Sequence, residues 1–229
     1  MLTESAYQNG ASGLFGRVVR IDLPARSHFL GNSIDLLGAQ ISFARNTEVY
    51  GEKEPADSVY KVLSGTIRSC RALIDGRRQI GAFYLPGDMF GLEGGKEHVF
   101  SAEAVVDAKV LVVDRGALVS LAARDKEVAR QLWSFMGSEL QQAQDHVLLL
   151  IKTAHERVVS FLLEMAERIR SSDGVDLPMS RQDIADYLGL TIETVSRMLT
   201  QLENASVIAM PTSKRIVLQN RELLKRLLP

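Results

Sequence analysis

The stretch from Ser180 to Asn204 constrains this chain more than any other, because two helices and the tight turn between them are written into it. Ser180 is a side-chain N-cap, and Asp183, three residues on, sets a carboxylate against the positive end of the helix that follows. That helix is expected over Arg181–Leu188 and stops at Gly189, since the left-handed turn that ends a helix is cheap only for glycine. Thr191 caps a second helix, from Ile192 to about Asn204. Ala185 is small where the helices must cross, and Ile184, Leu188 and Leu190 face Val195, Met198 and Leu199. An ordinary helical hairpin needs the apolar pattern alone. A small residue, a glycine stop and two caps at this spacing make a helix-turn-helix.

On the second helix, Glu193, Thr194, Ser196 and Arg197 project from the first two turns, away from the apolar face. Glu193 and Arg197, four apart, stand side by side. As a surface ion pair they contribute little. In a major groove, arginine donates two hydrogen bonds to guanine and a carboxylate accepts one from cytosine N4, so base reading is the stronger expectation. Thr191, Thr194 and Arg181 lie where phosphates pass a helix N-terminus; Arg181 is equally compatible with a solvated surface. Residues 207–210 and 216–218 read as a hairpin whose tip carries Lys214 and Arg215, a wing that either touches DNA backbone or serves solubility. Arg221 opens a short terminal helix.

Upstream the texture differs. Residues 1–24 are Gly-, Ser- and Ala-rich and read as a loose arm. Residues 25–123 form a second domain: short β-branched runs at 59–63, 66–74, 77–85, 102–106 and 109–113, broken by Ser64-Gly65, Asp75-Gly76, Pro86-Gly87 and Gly94-Gly95. That spacing implies an antiparallel sandwich or barrel. Residues 124–152 then hold a heptad seam at Ala129, Trp133, Met136, Leu140, Ala143, Val147 and Leu150. Such a seam suits pairing with a second copy along the helix, or packing on its own domain. Thr153 and Glu156 form a capping box that starts the C-terminal domain, 153–229. The fold class is therefore α+β: an N-terminal antiparallel β-barrel, a long dimerisation helix and a C-terminal winged helix-turn-helix.

Gly189-Leu-Thr-Ile-Glu193-Thr-Val-Ser196-Arg197 resembles the recognition helix of the cAMP receptor protein / fumarate-nitrate-reduction regulator superfamily, in its oxygen- and nitrogen-control, FixK-type branch. Phe83-Tyr-Leu-Pro-Gly87-Asp-Met-Phe-Gly91 is similar to the sensor-domain signature, and the likeness runs from about residue 30 to the end. The resemblance implies a jelly-roll, cyclic-nucleotide-binding-like barrel and a homodimer joined by the seam helix. It also implies that Glu193, Ser196 and Arg197 read a TTGAT-like half-site in an inverted repeat of double-stranded DNA. Bound beside a promoter, such a dimer meets RNA polymerase and activates transcription.

Departures from the family narrow its ligands. Cyclic-nucleotide binders clamp the phosphate with an Arg-Ser/Thr-Ala; here Phe100-Ser101-Ala102 puts phenylalanine in the arginine's place, and the Gly-Glu pair is Gly91-Leu92-Glu93. A buried phosphate without that cation is poorly compensated. Iron–sulfur members need four cysteines, and Cys70 is the single one here. It lies in an expected strand, as a small buried filler or a redox thiol. His28, His98, His146 and His155 fit no ligand spacing. No cofactor and no metal are therefore expected; the alternative keeps the fold as an effector-dependent sensor, with haem, nitric oxide or a small organic ligand in the barrel. An enzyme of the cupin kind would need clustered His and carboxylate ligands on the strands, and residues 40–115 hold only His98. The chain is expected not to be an enzyme.

Bulk properties agree with a cytoplasmic location: no apolar run approaches a membrane span, and the start lacks a secretory pattern. With 27 basic and 28 acidic residues the net charge is −1, so attraction to DNA must come from a few well-placed cations.

Overall fold

The computed structural model describes residues 37–169 and 174–228. The arm expected over 1–24, the first residues of the 25–123 domain and His28 lie outside them.

Among the described residues six strands make the N-terminal sheet: β1 (Gly38–Phe43), β2 (Glu48–Tyr50), β3 (Ser58–Ala72), β4 (Arg78–Tyr84), β5 (Met89–Phe90) and β6 (Ser101–Asp114). All pairings are antiparallel, in the order β1-β6-β3-β4, with β2 on β6 and β5 on β3. The barrel expected from sequence is thus an open hydrogen-bonded path; among the described residues β1 and β4, its two ends, do not pair.

Two breaks expected from sequence are absent. The runs flanking Ser64-Gly65 belong to one strand, β3, and those at 102–106 and 109–113 to one strand, β6. Gly65 has φ +83°, and a Cβ there would lie 2.3 Å from the Asp107 carbonyl oxygen. The glycine therefore marks an irregularity inside the strand rather than its end, and the β3–β6 register shifts around it at Val62/Ser64 and Ser64/Thr66. Strand β3 pairs with β6 over most of its length, with β5 near its start and with β4 near its end.

Asp114 closes the sheet domain by capping α1 (Arg115–Arg124), accepting a hydrogen bond from the Ala117 amide. Asp125 then caps α2 (Lys126–Leu150) in the same way, through the amides of Glu127 and Val128. The long helix expected from 124 thus has a separate neighbour ahead of it. Both pack on the sheet, with Leu118, Val128 and Phe135 closing over Val59, Leu111 and Val113.

Thr153 and Glu156 make the expected capping box for α3 (Ala154–Ile169). Beyond it come β7 (Val175–Asp176), α4 (Arg181–Leu188), α5 (Ile192–Asn204), β8 (Ile208–Ala209), β9 (Arg215–Leu218) and α6 (Arg221–Arg226). The small sheet runs β7-β9-β8, and the β8–β9 hairpin is the wing. Phe161, Met165, Leu188 and Val195 sit in this domain's core. Cys70, Ile80, Phe83 and Val105 of the large sheet join the same cluster, so the two domains share apolar packing.

Candidate nucleic-acid interface

Local hydrogen bonds set the helix-turn-helix. Ser180 Oγ accepts from the Asp183 amide at 3.1 Å, and Asp183 Oδ2 accepts from the Ser180 amide and hydroxyl at 3.0 and 2.8 Å. Gly189 adopts φ 61°, ψ 39° and returns its N–H to the Ala185 carbonyl. Ala185 is fully buried at the crossing, as its small size requires. Arg157 of α3 donates to the Leu188 carbonyl at 2.9 Å, compensating an orphan acceptor at the end of α4. Sequence reasoning missed this residue, because nothing local links positions 31 apart. Thr191 Oγ1 accepts from the Thr194 amide at 3.2 Å and starts α5.

Helix α5 divides cleanly. Val195, Met198, Leu199 and Leu202 are buried, whereas Glu193 and Arg197 are exposed and Thr194 and Ser196 half-buried beside them. The backbone N–H of Glu193 itself and the Thr191 hydroxyl hold the Glu193 carboxyl below the usual carboxylate range. No ion pair joins Glu193 to Arg197 among the described residues, so neither charge is spent on the other.

The expected backbone contacts fall out less evenly. Thr191 and Thr194 meet at 3.2 Å at the start of α5. Arg181, half-buried, reaches Met210 Sδ at 3.5 Å across to the wing. Lys214 is exposed at the wing tip. Arg215 lies at the start of β9 and pairs with Asp176 of β7 at 2.9 Å.

On α2, Trp133, Met136, Leu140, Ala143 and Val147 form an exposed apolar row, with Trp133 80% and Leu140 61% accessible. Leu150 departs from it: half-buried, it lies close to Gly189, its Cδ2 3.5 Å from where a Cβ would be. Cys70 is buried, and that burial, with the nearby Glu103 carboxylate, pushes its thiol up to about 11.

A cavity of about 480 Å³ lies between the sheet and α2, lined by Tyr50, Tyr84, Phe90 and Phe100 and by Glu93, Glu139 and His146. Among the described residues no lysine or arginine lines it, and Phe100 stands 3.3 Å from where a Gly81 Cβ would be. Among the described residues a cyclic phosphate there would meet two carboxylates and no cation, which is poor chemistry for a cyclic nucleotide. His98 is buried and stacked on Tyr50 with ring centroids 3.6 Å apart, and His146 lies against Tyr187 at 4.3 Å. Among the described residues no group of three or more metal-ligating side chains comes together, and no helix is long and apolar enough to cross a membrane.

Comparison with known proteins agrees with this anatomy. Residues 156–227 match the Crp-like helix-turn-helix domain, and residues 40–125 the cyclic nucleotide-binding domain. The nitrogen fixation regulation protein FixK of Azorhizobium caulinodans is 51% identical over 197 residues, covering 83% of this chain and 79% of that protein. The transcriptional activatory protein AadR of Rhodopseudomonas palustris is 38% identical over 187 residues, covering 79% and 78%. The structure of FixK2 from Bradyrhizobium japonicum superposes with a TM-score of 0.81 at 50% identity, over 84% of this chain and 98% of that one. With its two domain matches in this order and about half of the aligned residues identical to one FixK protein, the chain belongs to the Crp/Fnr family of transcription regulators, in the FixK branch.

Proposed function

We propose that the chain is a homodimeric transcription activator that binds a TTGAT-like inverted repeat without a cyclic nucleotide or iron–sulfur cluster. The observation that carries this reading is the division of α5: one face is fixed in the core, while Glu193 and Arg197 stand exposed on the first two turns. Glu193, Ser196 and Arg197 read base edges, and Arg181, Thr191, Thr194, Lys214 and the partly engaged Arg215 follow the backbone. Residues 124–152 pair with their copy through Trp133, Met136, Leu140, Ala143, Val147 and the upper edge at Leu150. Pairing sets the recognition helices about one DNA turn, ~34 Å, apart. Residues 25–123 serve as the frame and residues 153–229 as the reader. The dimer works in the cytoplasm, meets RNA polymerase at the promoter, and catalyses nothing.

The test is selection of random duplexes by the purified chain with no added ligand. Recovery of an inverted repeat of TTGAT-like half-sites is the expected result; indifference to sequence at moderate salt overturns the reading.

The aromatic cavity favours a second reading, in which an uncharged organic effector sits beside α2 and tunes DNA affinity. His146 Nδ1, buried with no hydrogen-bond partner among the described residues, offers such a molecule a polar anchor. DNA affinity that rises when a small-molecule extract is added to extensively dialysed protein would favour this reading.

A further inference from the structure

The large sheet and the DNA-reading domain are joined by charge as well as by apolar packing. Arg68 of β3 donates to Asp183 Oδ1 at 2.9 Å and to Glu103 Oε2 of β6 at 2.9 and 2.6 Å. Arg78, at the start of β4, donates to Asp183 Oδ1 at 2.6 Å and to Asp186 Oδ2 at 2.9 Å. Two guanidiniums on the sheet thus hold two carboxylates on successive turns of α4. Arg68 and Asp183 are 7% and 5% accessible, so solvent screens their contact little. Around them Phe83 packs on Tyr187 at 5.3 Å, and Gln79 donates to the Tyr187 carbonyl at 3.4 Å. Nearby, Arg168 of α3 bonds Asp88 and the Phe83 carbonyl, a second tie between the same two bodies.

Asp183 serves both sides of this junction. Its Oδ1 meets the sheet arginines while its Oδ2 closes the capping box with Ser180. Burial alone would raise this carboxyl; the Ser180 donors and the two guanidiniums overcome that and hold it below its ordinary value. The residue that starts α4 is therefore the one the sheet grips. Docking in this way leaves the reading face of α5 open, because Glu193 and Arg197 remain exposed.

We propose that Arg68 and Arg78 are positioning residues for DNA recognition: by gripping Asp183 and Asp186 they fix α4, and hence α5, to the sheet, and so set the half-site spacing the dimer accepts. The proposal rests on the DNA-binding homodimer above. Without the grip, each reader still fits a half-site but no longer stands at a fixed distance from its twin. A palindrome needs both readers docked, so the cost enters twice; if each stays docked about a third of the time, affinity falls to about a tenth. A single half-site needs one reader in any orientation and is indifferent to docking.

The experiment compares full-length wild type, Arg78→Asp, Arg78→Gln and the exchange Arg78→Asp/Asp186→Arg. The probes are the selected palindrome, the same palindrome with its centre lengthened or shortened by two base pairs, and a single half-site. Arg78→Asp is expected to lose about tenfold on the native palindrome, to stay within about twofold on the half-site and to discriminate less between spacings. Arg78→Gln, which leaves the Arg68–Asp183 bond in place and so keeps the fold, is expected to show the same pattern at lower amplitude. The exchange restores the 78–186 pair while Asp183 keeps Arg68 alone, and is expected to regain part of the affinity and of the spacing preference. Unchanged affinity and spacing preference in both single variants would overturn the proposal, as would equal losses on half-site and palindrome that the exchange does not repair. A wild type that ignores the palindrome would instead sink the DNA-binding reading, which keeps the two failures apart.

Discussion

Helix α2 and helix α5 both leave one face uncovered, but the faces are opposite in kind. That of α2 is an apolar row, Trp133, Met136, Leu140, Ala143 and Val147, which water solvates poorly. That of α5 is polar, Glu193 and Arg197 flanked by Thr194 and Ser196, and is content in water. The first gains from almost any apolar partner of matching shape, and in the proposed homodimer a second copy of the same helix supplies one. The second gains only from a partner that returns its hydrogen bonds in register. Under the proposed function, self-association and target recognition therefore draw on different physics and should fail differently.

The largest expected effect comes from breaking the apolar face. Leu140→Glu sets two like charges against each other across the paired helices, and monomers are expected by analytical ultracentrifugation. Palindrome affinity should drop about a hundredfold or more as one reader loses the tethering of the other. A variant that still sediments as a dimer would show that the pairing surface is elsewhere. Arg197→Ala attacks the polar face and is expected to cost ~1–3 kcal/mol on the palindrome, with relaxed preference at one base pair per half-site. That variant should remain dimeric, so the two faces separate in one pair of experiments. Thr191→Ala removes the cap of α5 and should cost about 1 kcal/mol of stability in chemical denaturation, with oligomeric state unchanged. Lys214→Ala should have the mildest effect: slightly weaker binding to every sequence, with the salt slope reduced by about one. A loss confined to the cognate sequence would assign Lys214 to base reading instead.

The ends of α4 and α5 were legible from sequence because their signals are local: Ser180, Gly189 and Thr191 each act within four residues of where they stand. The same is true of the Thr153–Glu156 box. Strand limits were less legible. Ser64-Gly65 looks like a turn in sequence, yet inside β3 it accommodates a bend that depends on Asp107 and Ala108 across the sheet. Helix α1 is not legible, since the sequence reading leaves residues 115–123 inside the sheet domain, and its cap Asp114 resembles any other surface acid until its bond from the Ala117 amide is seen. Least legible were Arg68 and Arg78, whose partners Asp183 and Asp186 lie 115 and 108 residues away. A charge pair at that separation is decided by topology, and neither end of it advertises the other.

The apolar cluster that runs from Cys70, Ile80 and Phe83 into Phe161, Ile184 and Tyr187 bears on how the molecule comes apart. A reading head hung on a flexible tether would melt in its own calorimetric transition. Here the lining of that head includes side chains from the sheet, so unfolding either body strips the other of part of its interior. Heating should accordingly yield one cooperative endotherm for the whole chain, and the head cut free at residue 153 should melt well below it.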